Sequence, residues 1–276
     1  MDIKHIQVFL QAGSSQGALI AAGVCAAKFE AFVDGVGLAV EPELSPADCF
    51  AVGASAIADV GRRHEAALRQ AADVMEAEFR AAIRPDHGLD WRCSRPSELP
   101  EECAARARTA DLTVIGRAGH ADAFHRQRIE ALVLRSGTPC LIVPQALSGD
   151  ARLERPVLAW NGSRESKRAM SDGMDFVRRA GRVDILVVHS GASDDEAPGL
   201  RPLMDHLARH GVEGRLHRKV GSPGESGQIL LASAESLGGD LLIMGAYGRS
   251  QAVECILGGA TRSALSHAHL PILMSH

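Results

Sequence analysis

Aromatic side chains are scarce in this sequence, and long apolar runs are absent from it. Aromatic residues make up 4% of the 276 residues, against 46% hydrophobic residues overall, so the cores must be built from aliphatic side chains. No apolar run reaches about 18 residues, the length of a membrane-spanning helix, and no basic leader precedes an apolar segment. These absences predict a protein that neither spans a membrane nor is secreted, and we expect it in the cytoplasm.

A strong charge imbalance and metal-ligand spacing are lacking as well. The formal net charge of −4 gives no electrostatic footprint for nucleic acid. The six cysteines include no Cys-x2-Cys pair, so we predict reduced thiols rather than a disulfide framework or a zinc site. His267 and His269 lie two residues apart on a predicted helix and therefore point to different sides. We predict no metal site made by the protein's own side chains.

One stretch near the carboxyl end has a clear local pattern. Leu241 to Met244 form an apolar run that stops at Gly245, as in a strand buried on both faces of a parallel sheet. Further glycines follow at 248, 258 and 259, and the sequence from Ala260 is compatible with a helix. The pattern predicts a strand, a glycine loop and a helix. The amino end of such a helix is a generic anion site, suited to phosphate.

The same pattern occurs twice in the chain. Asp111 to Gly119 match Asp240 to Gly248 at an offset of 129 residues, and the segments Val8–Ser14 and Val157–Ser163 also correspond. The matches keep the same order along the chain, which indicates a tandem duplication. We predict domains at residues 1–147 and 156–276, joined by a linker within Pro144 to Arg155, which is rich in Ser, Gly, Asp and charged residues.

Each copy alternates apolar strands with helices of ten or more residues. This alternation predicts an α/β protein with two tandem, doubly wound, five-stranded parallel-sheet domains. Ligands of such sheets bind at the carboxyl ends of the strands, where the strand order reverses. The closing strands at 140–143 and 270–274 are apolar edges, and we expect them to pair, which would make the monomer a pseudo-dimer. A homodimer of whole chains is a separate hypothesis. In the first copy we predict a helix from about Gln16 to Phe29, a strand from Phe32 to Val40 and a strand around Leu89 to Cys93. In the second copy we predict one helix from Ser163 to Arg179.

The spacing Gly-x2-Gly-x9-Gly, followed by a small residue, a helix and a last apolar strand, resembles the signature of the universal stress protein family. Here the spacing comprises Gly245, Gly248 and Gly258, followed by Gly259. The resemblance covers essentially the whole chain and is stronger in the second copy. It implies a Rossmann-like fold that binds adenine nucleotides, and a role in the stress response. Nucleotide-binding members have Ser or Thr where this chain has Gly259, and Asp where it has Asn161.

Carried over by position, the resemblance implies one nucleotide site in the second copy. The nucleoside would contact the ends of the first two strands, the ribose would adjoin the end of the fourth strand, and the phosphates would lie against the glycine loop. Arg249 would either screen phosphate charge or be a solvated loop arginine, and Thr261 would partly replace the missing hydroxyl. The implied site residues are, in order, Ala159, Asn161, Ser190, Met244, Gly245, Gly248, Arg249, Gly258, Gly259, Ala260 and Thr261.

The first copy has lost more of the motif. Arg126 and Gln127 stand where the second copy has Gly258 and Gly259, and Gln11 replaces the first-strand Asp of nucleotide-binding members. We interpret residues 1–147 as a degenerate partner that supplies an interface. Its cluster of His120, His125, Arg126 and Arg128 is either an anion site of another kind or, more simply, a solvated loop.

Two functions fit these patterns. The first is a non-enzymatic stress-response protein that binds a small-molecule nucleotide, ATP or another adenine nucleotide with its magnesium ion. The second is a nucleotide-free interaction or dimerisation module that keeps only the fold. We identify no Gly-x-Ser-x-Gly elbow, no Walker Gly-Lys-Ser/Thr motif and no His-Glu-x-x-His motif. We therefore predict no catalytic residue, and slow ATP hydrolysis is the most that the sequence leaves open.

Overall fold

The structure, a computed structural model, describes residues 2–13, 15–40, 53–87, 89–95, 98–117, 123–189, 199–222, 224–246 and 259–276. The elements of the first half are β1 (His5–Leu10), α1 (Gln16–Phe29), β2 (Phe32–Gly37), α2 (Ala54–Ala82), a 3₁₀ turn (Pro85–His87), β3 (Leu89–Cys93), α3 (Pro100–Ala107), β4 (Leu112–Gly116), α4 (Ala123–Arg135) and β5 (Cys140–Val143).

The second half repeats this alternation of strands and helices. Its elements are β6 (Pro156–Ala159), α5 (Arg164–Asp172), α6 (Met174–Ala180), β7 (Arg182–His189), α7 (Leu200–Arg209), β8 (Glu213–Val220), α8 (Ser226–Ser236), β9 (Leu241–Gly245), α9 (Gly259–His267) and β10 (Ile272–Ser275).

All ten strands belong to one sheet, in the order β3-β2-β1-β4-β5-β10-β9-β6-β7-β8. The strands within each half are parallel, and the order reverses beside the first strand of each half, as in a doubly wound fold. The prediction of five parallel strands per copy is therefore confirmed. The two closing strands pair antiparallel, with Leu273 opposite Leu141. The expected pairing of the sheet edges is confirmed too, and it merges the two five-stranded sheets into one.

The inner strands of the sheet, β4, β5, β6 and β9 among them, are buried on both faces. Along β9, Leu241 and Ile243 belong to one hydrophobic cluster, while Leu242 and Met244 belong to another. This alternation explains why the strand has a continuous apolar run. Aromatic residues contribute at few points, and one of them joins the halves: the rings of Phe29 and Phe176 meet edge to face, with centroids 4.9 Å apart.

The predicted single helix over Ser163–Arg179 is wrong. The chain divides it into α5 and α6 at Gly173. A Cβ atom at this position would lie 2.8 Å from Cδ1 of Ile243 and 3.1 Å from the carbonyl oxygen of Ala169. The backbone thus approaches β9 at a residue of low helix propensity, which permits the change of direction. Among the described residues, no helix combines the length and the apolar character needed to cross a membrane.

Candidate functional site

The strand order of the second half reverses between β6 and β9. These strands are adjacent and parallel, with Leu158 opposite Ile243, while β7 lies on the other side of β6. The loops that follow β6 and β9 therefore leave the sheet at the same edge. That edge is where doubly wound sheets bind their ligands, and it is where the residues implied by the resemblance were placed.

The loop after β6 is held by its own side chains. Oδ1 of Asn161 accepts a hydrogen bond from the N–H of Ser163 at 3.0 Å, and Oγ of Ser163 accepts one from the N–H of Ser166 at 3.1 Å. Ser163 is the N-cap of α5, so one orphan N–H of that helix is satisfied. Asn161 is exposed, and its amide N–H groups are the donors that it presents at this edge in place of a carboxylate.

A carboxylate already lies at the amino end of α5. The Glu165 side chain is 10% exposed, and its Oε1 accepts a hydrogen bond from Nε of Arg164 at 2.8 Å. Burial would raise the pKa of Glu165, but hydrogen bonds from its own N–H, Arg164 and Ser163 outweigh that effect and hold the pKa below its usual value. The negative charge that this helix end favours is thus supplied internally.

Gly245, at the end of β9, is required by packing. A Cβ atom there would lie 2.5 Å from the carbonyl carbon of Glu165 and 2.6 Å from the nitrogen of Ser166. No side chain fits between β9 and the first turn of α5. Met244 and Ala159, both implied as ligand contacts, are 4% and 9% exposed and belong to the hydrophobic cluster on one face of the sheet. They lie at the predicted edge as core residues.

The helix of the predicted phosphate site is present. α9 begins at Gly259 and continues through Ala260 and Thr261. The Thr261 side chain is 3% exposed and already has an interaction within the chain, so its use as a phosphate donor would require a rearrangement. The other implied site residues lie outside the described residues, namely Ser190, Gly248, Arg249 and Gly258.

The corresponding edge of the first half contains two buried basic side chains. His125 is 3% exposed, and its Nε2 donates to the carbonyl of Gly116, at the end of β4, over 2.8 Å. Arg128 is 1% exposed, donates to the carbonyl of Ala39 at 3.4 Å, and stacks its guanidinium on the Phe124 ring, 4.3 Å from the centroid. The solvated-loop interpretation is therefore wrong for His125 and Arg128.

The two other members of that basic cluster differ. Arg126 is exposed, and His120 lies outside the described residues. The carbonyl contacted by His125 ends β4, and the one contacted by Arg128 lies just after β2; these two strands flank β1. The first half thus places two of its own basic side chains at its edge of the sheet, and its interpretation as a degenerate copy stays a prediction.

One catalytic pattern in the sequence needs its structural context. Residues 13 to 17 read Gly-Ser-Ser-Gln-Gly and extend from the loop after β1 into the first turn of α1. They match the Gly-x-Ser-x-Gly elbow of hydrolases, so the prediction that the sequence contains no such motif is wrong. The central Ser15 has φ −84° and is 3% exposed. Its hydroxyl donates to the carbonyl of Gln11 at 2.8 Å. Ser15 therefore lacks the exposed hydroxyl of an elbow nucleophile, and we assign it no catalytic role.

The cysteines in the described part of the chain are free, and most are buried. Burial raises the pKa of Cys25 and Cys140 to about 12 and that of Cys103 to about 11. Thiols in this state are poor nucleophiles and poor metal ligands. Within the same described residues, no group of three or more His, Cys, Asp or Glu side chains is arranged to hold a metal ion.

Comparison with solved structures identifies the fold. A universal stress protein from Archaeoglobus fulgidus DSM 4304 aligns with 98% of this chain over 97% of its own length, with 17% identity and a TM-score of 0.66. A functionally unknown Pseudomonas aeruginosa PAO1 protein aligns with 99% of the chain over 92% of its own (14% identity, TM-score 0.58). A candidate universal stress protein of P. aeruginosa UCBPP-PA14 aligns with 99% of the chain over 93% of its own length, with 15% identity and a TM-score of 0.58.

These matches define the chain first as a doubly wound α/β protein with two five-stranded halves. More particularly, it has the fold of the universal stress proteins, so the predicted resemblance is confirmed at the level of the fold. No protein-family model matches the sequence, and no curated protein does. The identities of 14 to 17% leave the ligand to be argued from this chain's own residues.

Proposed function

We propose that this chain is a tandem universal stress protein whose second half binds an adenine nucleotide, such as ATP, through main-chain N–H groups. The observation that carries the proposal is α9, which begins at Gly259, directly after the glycine spacing, and follows β9, the strand that pairs with β6 where the strand order reverses. The first N–H groups of a helix have no intrahelical partner and attract phosphate. Gly259 adds no side chain to obstruct them.

The electrostatics of the edge favour α9 over α5 as the phosphate site. The amino end of α5 is neutralised by Glu165, which lies beside the end of β9. A phosphate placed there would face a carboxylate at low solvent exposure, and like charges repel strongly under such conditions. We therefore assign the phosphates to α9 and the nucleoside to the exposed amide of Asn161. Any magnesium ion would arrive with the nucleotide.

The proposed role is regulatory, without a chemical step. Among the described residues, this edge holds main-chain donors and the amide of Asn161, while the hydroxyl of Ser163 and the carboxylate of Glu165 hold the amino end of α5. A bound nucleotide would stabilise one arrangement of the loops that surround it, by an amount set by its differential affinity. We propose a cytoplasmic location, testable by cell fractionation, and a homodimer of whole chains as a hypothesis for light scattering.

A second function is favoured by specific contacts. The acceptor oxygen of Asn161 is engaged in its own turn, Thr261 is buried, and the glycine at 245 is explained by packing against α5. These contacts suit an interaction or dimerisation module that keeps the fold and binds no nucleotide.

The two functions differ in what the purified protein carries. The protein is purified without added nucleotide and denatured, and the released small molecules are identified by mass spectrometry. We expect ATP, ADP or AMP in amounts approaching the protein concentration, and a large loss of that signal in a folded Gly258→Glu variant purified in parallel. Equal traces from both proteins would favour the interaction module.

A further inference from the structure

Arg117 of the first half reaches into the second half. It follows Gly116, the last residue of β4, and its Nη1 donates to the main-chain carbonyl of Ser266 at 2.5 Å. Ser266 lies in the last turn of α9, whose final carbonyls have no partner within the helix. A guanidinium at this end also balances the negative end of the helix dipole. The contact is partly buried, so solvent screens it less than a surface ion pair.

A similar contact runs in the opposite direction. Arg168 on α5 donates from Nη2 to the carbonyl of Gly137 at 3.3 Å, just beyond the end of α4 at Arg135. In the internal repeat, α4 corresponds to α9, since each precedes the closing strand of its half. Each half therefore places an arginine at the carboxyl end of the last helix of the other half. The pairing of β5 with β10 keeps these contacts within reach.

We infer that Arg117 is a positioning residue for the nucleotide site, and that through Arg117 the first half sets the ligand affinity of the second. This inference rests on the proposed function. α9 has nine residues and spans about 13 Å, with the arginine contact at one end and the proposed phosphate contacts at the other. The directions of the phosphate-binding N–H groups follow the axis of this helix. The apparent affinity therefore scales with the fraction of molecules in which α9 is in place.

The test measures nucleotide affinity and α9 mobility in the full chain. ATP is titrated into wild-type protein, Arg117→Ala, Arg117→Lys and Arg135→Ala, and amide hydrogen exchange is followed over residues 259–267. Arg135 is the matched control because it belongs to the same half, and its removal changes the net charge equally. Its ion pair with Glu101 stays within the first half, and both side chains are more than half exposed.

We expect Arg117→Ala to raise the Kd for ATP about three- to tenfold, which corresponds to about 0.7 to 1.4 kcal/mol. Amide exchange in Arg117→Ala should increase in α9 more than elsewhere. The Kd of Arg117→Lys should lie between those of the wild type and Arg117→Ala, and the Kd of Arg135→Ala should equal that of the wild type. A selective rise of exchange in α9 separates positioning from general destabilisation.

Three results would overturn the inference. Wild-type affinity in Arg117→Ala would show that the contact does not position the site, while the proposed function would stand. An equal loss of ATP affinity in Arg117→Ala and Arg135→Ala would show that the effect comes from the change in net charge. A wild-type protein that binds no ATP, with α9 exchange still sensitive to Arg117, would refute the proposed function and reduce the contact to a structural one.

Discussion

Gly245 is the residue at which β9 and the first turn of α5 come closest. In Gly245→Ala the new Cβ would meet main-chain atoms of Glu165 and Ser166 at 2.5 and 2.6 Å, and main chain cannot move aside as a side-chain tip can. We expect a loss of roughly 1 to 3 kcal/mol in the free energy of unfolding, the usual cost of overpacking. Urea denaturation measures it.

Gly61 provides the matched control for that substitution. It lies on α2, where an added Cβ would meet nothing within 4 Å. Gly61→Ala should raise the free energy of unfolding by about 0.5 to 1 kcal/mol, because alanine is the better helix former. Equal effects of the two glycine substitutions would show that β9 and α5 are less tightly packed than described.

Two buried thiols make stability depend on pH in the alkaline range. Burial raises the pKa of Cys25 and Cys140 to about 12 from an ordinary value of 9.0. Above pH 9 the unfolded chain loses these protons and the folded chain keeps them, so the free energy of unfolding falls as pH rises from 9 towards 12. Urea denaturation at pH 8 and pH 10 should show a smaller fall for Cys140→Ala than for wild type. Cys93 is exposed, although partial burial and Glu98 also raise its pKa, so Cys93→Ala should reduce the fall by less than Cys140→Ala does. A fall unchanged by Cys140→Ala would contradict the assignment.

The sequence predicted residue positions better than residue roles. Gly259 begins α9 and Asn161 follows β6 at the edge, as the motif indicated. The packing role of Gly245 was not foreseeable, because its neighbour α5 lies some 80 residues earlier in the chain. The burial of His125 and Arg128 was missed for a related reason. Basic residues are usually solvated, and only the fold brings the carbonyls of Gly116 and Ala39 to them.

The break between α5 and α6 depends on one strand contact. Gly173→Ala would place a Cβ 2.8 Å from Cδ1 of Ile243, and we expect it to cost about 1 to 3 kcal/mol. Ile243→Val removes that methyl group and should cost about 0.5 to 1.5 kcal/mol by itself. The double variant should lose less free energy of unfolding than the two single variants lose together, because the shorter side chain relieves the clash. Strictly additive free energies of unfolding would mean that the two residues are not coupled.

Elements were predictable where local periodicity decides them. β3 and α1 have the predicted limits, because β3 alternates apolar and charged residues and α1 has an alanine-rich helical pattern. The helix break at Gly173 was missed because it reflects packing against β9, which no window of local sequence contains. β2 likewise ends at Gly37, short of the predicted Val40, because only Phe32 to Gly37 pair with the strands on either side.

The antiparallel pairing of β5 with β10 makes each half depend on the other. Residues 156–276 alone would expose the edge of β10, whose residues Ile272 and Leu273 have no solvent-exposed area in the full chain. Exposed apolar edges pair with other edges. We therefore expect this fragment, cut at the proposed domain boundary, to self-associate in a concentration-dependent manner in light scattering. A fragment that stays monomeric would indicate that the pairing contributes little, or that the boundary is misplaced.

At the scale of the whole molecule, most of the fold could be predicted from the internal duplication. Two copies with five strands each, and two apolar closing strands, imply the observed strand order and the junction between the halves. The arginine contacts across the junction were not predictable, because Arg117 and Ser266 are 149 residues apart and meet only after the closing strands pair.

The central claim is that bare main-chain groups at the start of α9 hold a phosphate. Titration of ATP into wild-type protein, Gly259→Ser and Gly259→Glu tests it most directly. Serine restores the hydroxyl of nucleotide-binding relatives and should lower the Kd, whereas glutamate suits a helix amino terminus structurally but repels phosphate and should abolish binding. Saturable binding by the wild type with this order of affinities is the predicted result. No binding by any of the three, or equal binding by the glutamate variant, would contradict the account.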